Sequence, residues 1–534
     1  MVSRQRVQKF GPSHYRYDKN TPLEDIPDLK SKYGVILLPQ PSNSVNDPFN
    51  WPQWRKGIHF FLLILITAFT SAIANDASAP QGSINTLTGI SYDALNNSAG
   101  LLFVSIALST WLYAPLASLC GRKVTYLLGL LFALAGSIWY AKIQHTGDAF
   151  GSQILVGFAE GATEAQVQLS LSSIFFRHQL GAVVTIYILA TAFGTYLGPL
   201  AANLIARDSD FRWVGWSGAI TSGILLLIIT FVLEEDYFDY TRFAYHSQNL
   251  TLNQSLQTLG ITSNDMDDDF GYHDTQLSIP QRRMFFPALK NYSVLGFLKK
   301  YVQLLISNIN CLWFPPVLFA GLIWGFQDAI LTFYLTTQDT ALYSDPFNYS
   351  DTRVALMNVP CLIGSFIGCI YAGSLTDYFV LWVARKNNGI VESEFRLFFA
   401  FLSGIIGSVG LLMFGFGVAR DLDWRIIYVG LGMISYLYSS AGNLAMLYVI
   451  GTYDQLILET LVAVEVINNL IGCIFTFACS PWLDRSGTEN TYIALAVLNI
   501  FFMFLSLPLL KWGKSWRLAT KKSYVKMVDA RSKH

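Results

Sequence analysis

Apolar stretches of spanning length follow one another along most of the chain, parted by short polar turns and one long polar interval. Taking about 20 residues per crossing, they predict helices over 58–79, 95–117, 125–142, 151–175, 182–205, 213–233, 312–336, 353–375, 395–418, 425–449, 457–479 and 491–510. Helices satisfy all their backbone groups internally, as lipid demands. The pattern therefore predicts an all-α membrane protein with twelve transmembrane helices. The polar interval divides them into two six-helix bundles. The expected units are an amino-terminal segment 1–56, a first bundle 57–233, a central loop 234–311, a second bundle 312–510 and a tail 511–534.

Composition agrees with that class: 52% of residues are hydrophobic and 13% charged, about half the charged fraction of a soluble domain. The formal net charge is zero, so position matters more than balance. With both termini cytoplasmic, most of the 36 Lys and Arg fall on the cytoplasmic side, including Arg55, Lys56, Arg122, Lys123, Lys299 and Lys300, and this sets the expected orientation. The six cysteines lie in or beside apolar spans, without disulfide or zinc spacing. Gly513-Lys514-Ser515 has Pro508 where a phosphate loop needs its leading Gly. No enzymatic chemistry, cofactor, metal or nucleic-acid partner is expected.

Against this background the acids inside the spans stand out: Asp76, Glu160, Glu164, Asp328 and Glu465, with almost no Lys or Arg beside them. An ionised carboxylate in hydrocarbon is costly unless it faces a partner or water, so each is a functional candidate. The missing counter-charge is a proton or a cationic substrate. Glu160 and Glu164, four apart, are expected on one helix face about 6 Å apart. Such a pair cannot cheaply ionise twice and suits exchange of a proton for a cation. Trp324 and Tyr334 lie near Asp328 in sequence and offer aromatic faces to a cation. Gly194 and Gly198 permit close helix approach and Pro199 a bend, and this segment is expected where the two halves meet.

The halves also repeat. Asn75-Asp76-Ala77 corresponds to Gln327-Asp328-Ala329, and Gly121-Arg122-Lys123 after the second span corresponds to Gly373-Ser374-Leu375-Thr376-Asp377 after the eighth. The run Asp47-Pro48-Phe49-Asn50-Trp51-Pro52, the segment Gly194-Thr195-Tyr196-Leu197-Gly198-Pro199, the stretch from Glu164 to Ser170 and Gly487-Thr488-Glu489-Asn490-Thr491-Tyr492 together resemble fungal major facilitator transporters of the twelve-span drug:proton antiporter type. Within them, the chain is most similar to the yeast polyamine and histidinol transporter branch.

The resemblance implies the major facilitator fold, two pseudo-symmetric bundles whose first, fourth, seventh and tenth spans line a central cavity. There Asp76, Glu160, Glu164 and Asp328 would converge, joined by Asn443, with Glu465 nearby on span eleven. Gly121, Arg122, Lys123 and Asp377 would belong to the cytoplasmic gate. Two departures matter: Ser118-Leu119-Cys120 stands where the family's loop carries an acid, and Gln153 where its drug antiporters often carry Arg. The implied function is proton-coupled, alternating-access transport of a small organic cation, a polyamine or a cationic drug. The implied partners are protons and the lipid bilayer, and the plasma membrane is the implied site. A vacuolar membrane, a multidrug:proton exporter and a nutrient receptor using its central loop stay open at this point.

Overall fold

A computed structural model describes residues 46–76, 80–238, 293–342, 347–386, 390–453 and 456–532, with scattered positions ahead of residue 46. Among them, ten helical runs are long and apolar enough to cross a membrane. They amount to twelve spans for two reasons. The run Ile457–Val528 holds two spans, parted at Gly487, and one further span is interrupted midway.

In chain order the spans are α1 (Gln53–Asp76), α2 (Tyr92–Cys120), α3 (Arg122–Tyr140), α4 in two pieces (Thr146–Glu160 and Glu164–Ile174), α5 (Arg177–Asp208) and α6 (Arg212–Val232). The second set comprises α7 (Pro315–Thr337), α8 (Asp351–Leu356 continuing through Asn358–Ile370 to Thr376–Lys386), α9 (Phe398–Ala419), α10 (Trp424–Thr452), α11 (457–486) and α12 (488–504). Gly487 joins the last two with φ of 71°, a left-handed conformation that side chains with a Cβ avoid. Among the described residues, two pairs of two-residue strands accompany the helices.

Packing repeats between the halves. In the first bundle α1 lies on α5, α4 on α2 and α3, and α3 on α6. In the second, α7 lies on α11 and α10 on α8 and α9, while Gly415 and Gly404 of α9 meet Tyr492 and Met503 of α12. Lipid supplies no hydrophobic drive between helices, so close backbone approach through small residues does the work. A Cβ on Gly410 of α9 would lie 2.9 Å from the Gly430 carbonyl of α10, and one on Gly136 of α3 would lie 3.2 Å from Leu155 of α4. Helices α7 and α10 are buried over most of their length, whereas α6 and α9 turn Leu227, Phe231, Leu402 and Ile405 outward, as lipid-facing helices should.

The glycines Gly194 and Gly198 face α1 rather than the second bundle, although Tyr196 between them reaches across the boundary to Tyr438 of α10, ring to ring at 6.4 Å. A Cβ on Gly194 would come within 2.8 Å of Ser71, and one on Gly198 within 2.8 Å of the Ala72 Cα, so this face of α5 packs on α1 inside the first bundle. Pro199 sits within the continuous helix α5. The halves meet along α2 with α11 and along α5 with α8 and α10. The reason is geometric: a small-residue stripe signals close approach but carries no information about which neighbour approaches.

Candidate functional site

The interruption of α4 falls between the two glutamates. At Gly161 the backbone still donates to the Gly157 carbonyl, but Ala162 N donates to Ala159 O (3.3 Å) and Thr163 N to Glu160 O (2.8 Å), so the helix tightens by one turn. Thr110 Oγ1 of α2 donates to the Gly161 carbonyl (3.2 Å), and Ser109 lies against Gly161 itself. This local rewinding separates the expected pair. Glu160 accepts from Ser71 Oγ of α1 (3.1 Å), whereas Glu164 accepts from Thr110 Oγ1 of α2 (3.2 Å) and, across the bundle boundary, from Asn469 Nδ2 of α11 (3.1 Å).

Glu164, Glu160, Asp328 and Glu465 line one central cavity of about 650 Å³, open solvent included, and no Lys, Arg or His is among its lining residues. Glu164 lies within electrostatic reach of the other three. Glu465 accepts from Gln168 Nε2 of α4 and Asn468 Nδ2 (both 3.3 Å). Asp328 is served by the side chains of Asn468 and Tyr438. Trp324 completes a wall, its ring 4.9 Å from that of Tyr438. Lining residues come from α2, α5 and α11 as well as from α1, α4, α7 and α10, so the expected set of four lining spans is too small.

Several expected members lie elsewhere. Asp76 is absent from the lining, and its neighbour Asn75 takes the place; Asp76 ends α1 and lies within electrostatic reach of Tyr140. Asn443 is fully buried and donates to Thr185 Oγ1 of α5 (3.1 Å), so it links the halves outside the cavity. Tyr334 packs edge-on against Phe414 and points its hydroxyl at Asn358 (3.4 Å). It faces the interior of the second bundle because six residues along a helix from Asp328 is not a whole number of turns. The sequence reading underweighted Gln168, Asn468, Asn469 and Tyr438. A signal for the asparagines existed, in Asn468 and Asn469 about one turn beyond Glu465 within an apolar span.

At the membrane face that carries the amino terminus, the residues expected at the gate form a buried charge cluster. Gly121, with φ of 96°, turns the chain so that the backbone N–H groups of Arg122 and Lys123 both donate to the Glu235 carboxylate (3.0 and 3.1 Å). Arg122 pairs with Asp236 (2.6 Å) and bonds Ser173, Lys123 Nζ donates to the carbonyls of Thr230 and Leu233, and Arg55 pairs with Glu234. The acid absent from the α2–α3 loop is thus supplied just past the end of α6, and residues 234–236 belong to the packed body rather than to the expected central loop. The central loop expected over 234–311 is shorter at its far end too, where Val294–Cys311 is a helix held to α2 through Trp111 and Tyr301. Asp377 pairs with Arg396 (2.5 Å) and lies against Gly181 of α5.

Burial, and then the neighbouring Asp236, push the Glu235 carboxyl up to about 7. Burial pushes Asp236 upward too, but Arg122 and His59 outweigh it and hold that group below its usual range. A folded value above the unfolded one means that the folded chain takes up a proton as pH falls from about 7 to about 4.5, so the Glu235 contribution is fully present at low pH and is lost as pH rises through about 7. The thermal stability of wild type minus that of Glu235→Gln, measured in detergent, is therefore expected to fall as pH is raised from about 5 to about 8. A difference that is flat or rises over that window would contradict the assignment.

The family profile described as Major Facilitator Superfamily matches residues 60–453. The chain is 46% identical over 548 aligned positions to Protein HOL1 of Saccharomyces cerevisiae, covering 94% of this chain and 93% of that one. It is 40% identical to an uncharacterized MFS-type transporter of Schizosaccharomyces pombe, covering 95% and 92%. Among solved structures, the proton:xylose symporter XylE superposes with a TM-score of 0.55 at 13% identity, covering 84% of this chain and 96% of that one. The human organic anion transporter MFSD10 gives 0.51 at 13% identity, covering 85% and 100%. At these identities the structures speak for the fold alone.

Proposed function

Because the chain belongs to the major facilitator superfamily, a family of membrane transporters, we propose that it is a proton-coupled carrier of small organic cations, working by alternating access at the plasma membrane. One observation carries this reading: four carboxylates from α4, α7 and α11 line one cavity with no basic side chain among its lining residues. A cation entering there supplies the counter-charge that the protein withholds, and Trp324, against Tyr438, offers it an aromatic face. When the cation leaves, protons restore balance, since several ionised carboxylates at close quarters in a low dielectric are costly. Asn469 on Glu164 and Gln168 on Glu465 join the two bundles through the acids themselves, so binding at the acids acts directly on the contact between the halves.

Polyamines are the preferred substrate class. The resemblance of the sequence to the polyamine and histidinol branch supports them, and several carboxylates in one space suit more than one ammonium group. An inside-negative potential contributes about 2.3 kcal/mol per charge per 100 mV toward cation uptake. The test is transport in proteoliposomes with imposed pH and voltage gradients. Spermidine is expected to accumulate, faster with the interior negative, and to compete with other amines but not with sugars or organic anions. Accumulation of a neutral or anionic solute in place of amines would overturn the reading. Expulsion of cationic drugs against a proton gradient, without amine uptake, would replace import by export.

A further inference from the structure

A second cavity, of about 820 Å³ with open solvent included, adjoins the acidic one on the side away from the amino terminus. The two share Ala74, Asn75, Leu102, Phe103 and Leu331 as lining residues, so they are consecutive chambers on one path. Their chemistry differs. The inner chamber has four carboxylates, whereas the outer is lined by amides and hydroxyls, Gln81, Asn96, Gln153 and Tyr140 among them, with no acid or base in its lining.

Two features of the outer chamber point to a ligand. Tyr140 is 5% exposed and its hydroxyl has no hydrogen-bond partner among the described residues, which leaves a buried polar group unsatisfied. That hydroxyl lies within electrostatic reach of the Asp76 carboxyl, which places an acidic group beside a wall that carries none. The chamber is also part of the contact between the halves. Gln81 Nε2 donates to Asn96 Oδ1 (3.1 Å), and Asn96 Nδ2 donates to Ser480 Oγ of α11 (3.2 Å).

Building on the organic-cation reading, we infer that the outer chamber is a second binding station, taking the distal ammonium of an elongated polyamine whose leading ammonium sits among the inner carboxylates. The Tyr140 hydroxyl and the Gln153 carbonyl accept hydrogen bonds from that distal group, and Asp76 supplies the field. An Arg in place of Gln153 would repel it, so a neutral amide here is part of the selectivity for polycations. The Gln81–Asn96–Ser480 chain closes the chamber when the ammonium has moved inward.

The experiment compares the full-length carrier with Tyr140→Phe and Gln153→Leu in proteoliposomes, using a monoamine, putrescine, spermidine and spermine as competing substrates. Tyr140→Phe keeps the edge-on ring contact with Phe211, so its fold is spared. Each variant is expected to weaken spermidine and spermine about tenfold more than the monoamine, by loss of a hydrogen bond to a charged group. Equal weakening of short and long amines, or no weakening of the long ones, would overturn the outer station while leaving the organic-cation reading intact. Failure of wild type to transport any amine would remove both.

Discussion

Glu164→Gln is expected to lower the apparent affinity for organic cations about thirtyfold and to erase the dependence of uptake on external pH. The substitution keeps size and keeps an oxygen for Asn469 and Thr110 to bond, so what disappears is charge. A charge-assisted contact contributes about 2 kcal/mol, which is about thirtyfold in binding. Glu160→Gln should have a smaller effect, because Glu160 is bonded to Ser71 within its own bundle whereas Glu164 holds Asn469 of the other. Uptake of labelled spermidine, normalised to protein in the membrane, measures both. If Glu160→Gln matches or exceeds Glu164→Gln, the special place given to the inter-bundle acid is wrong. If neither changes uptake, the cation binds elsewhere.

The second large effect concerns folding. Arg122 and Asp236 form a pair whose side chains are only 10% and 2% exposed. Removing one partner strands the other in a buried setting, a loss of about 3–5 kcal/mol. Arg122→Met and Asp236→Asn are each expected to cost much of the thermal stability of the detergent-solubilised protein. The double variant should recover a large part, since it strands no charge. Recovery that is absent, with the losses simply adding, would show that the pair is not the unit that holds the α2–α3 turn to the end of α6.

How much of this could be read along the chain depended on the kind of information involved. The spans were legible because lipid imposes a length of apolar sequence on every crossing, and the intramembrane acids because their cost there makes them conspicuous. Even the missing loop acid was visible as an absence at Ser118-Leu119-Cys120. Its replacement was not: Glu235 and Asp236 sit more than a hundred residues away, and a polar run next to a long polar interval looks like the start of a linker.

The same limit explains the redistribution within the site. An unbroken helix would set Glu160 and Glu164 side by side; contacts from α2 at Gly161 accompany a tightened turn that sends each to a different partner. Gly194 and Gly198 announce a close approach, but only the assembled bundle selects α1 as the neighbour. Asp76 and Tyr334 share the spans of the site yet miss the inner cavity, because facing is decided by helix rotation, which packing sets.

By itself, then, the order of residues determined that this chain lives in a membrane as paired bundles of helices carrying uncompensated acids, since transfer from water to lipid is a local property of each segment. Which acids meet, which helices touch through their glycines, and where the buried bases find their partners were decided only by tertiary structure. Those outcomes depend on distances between segments far apart in the chain, fixed when the bundles close.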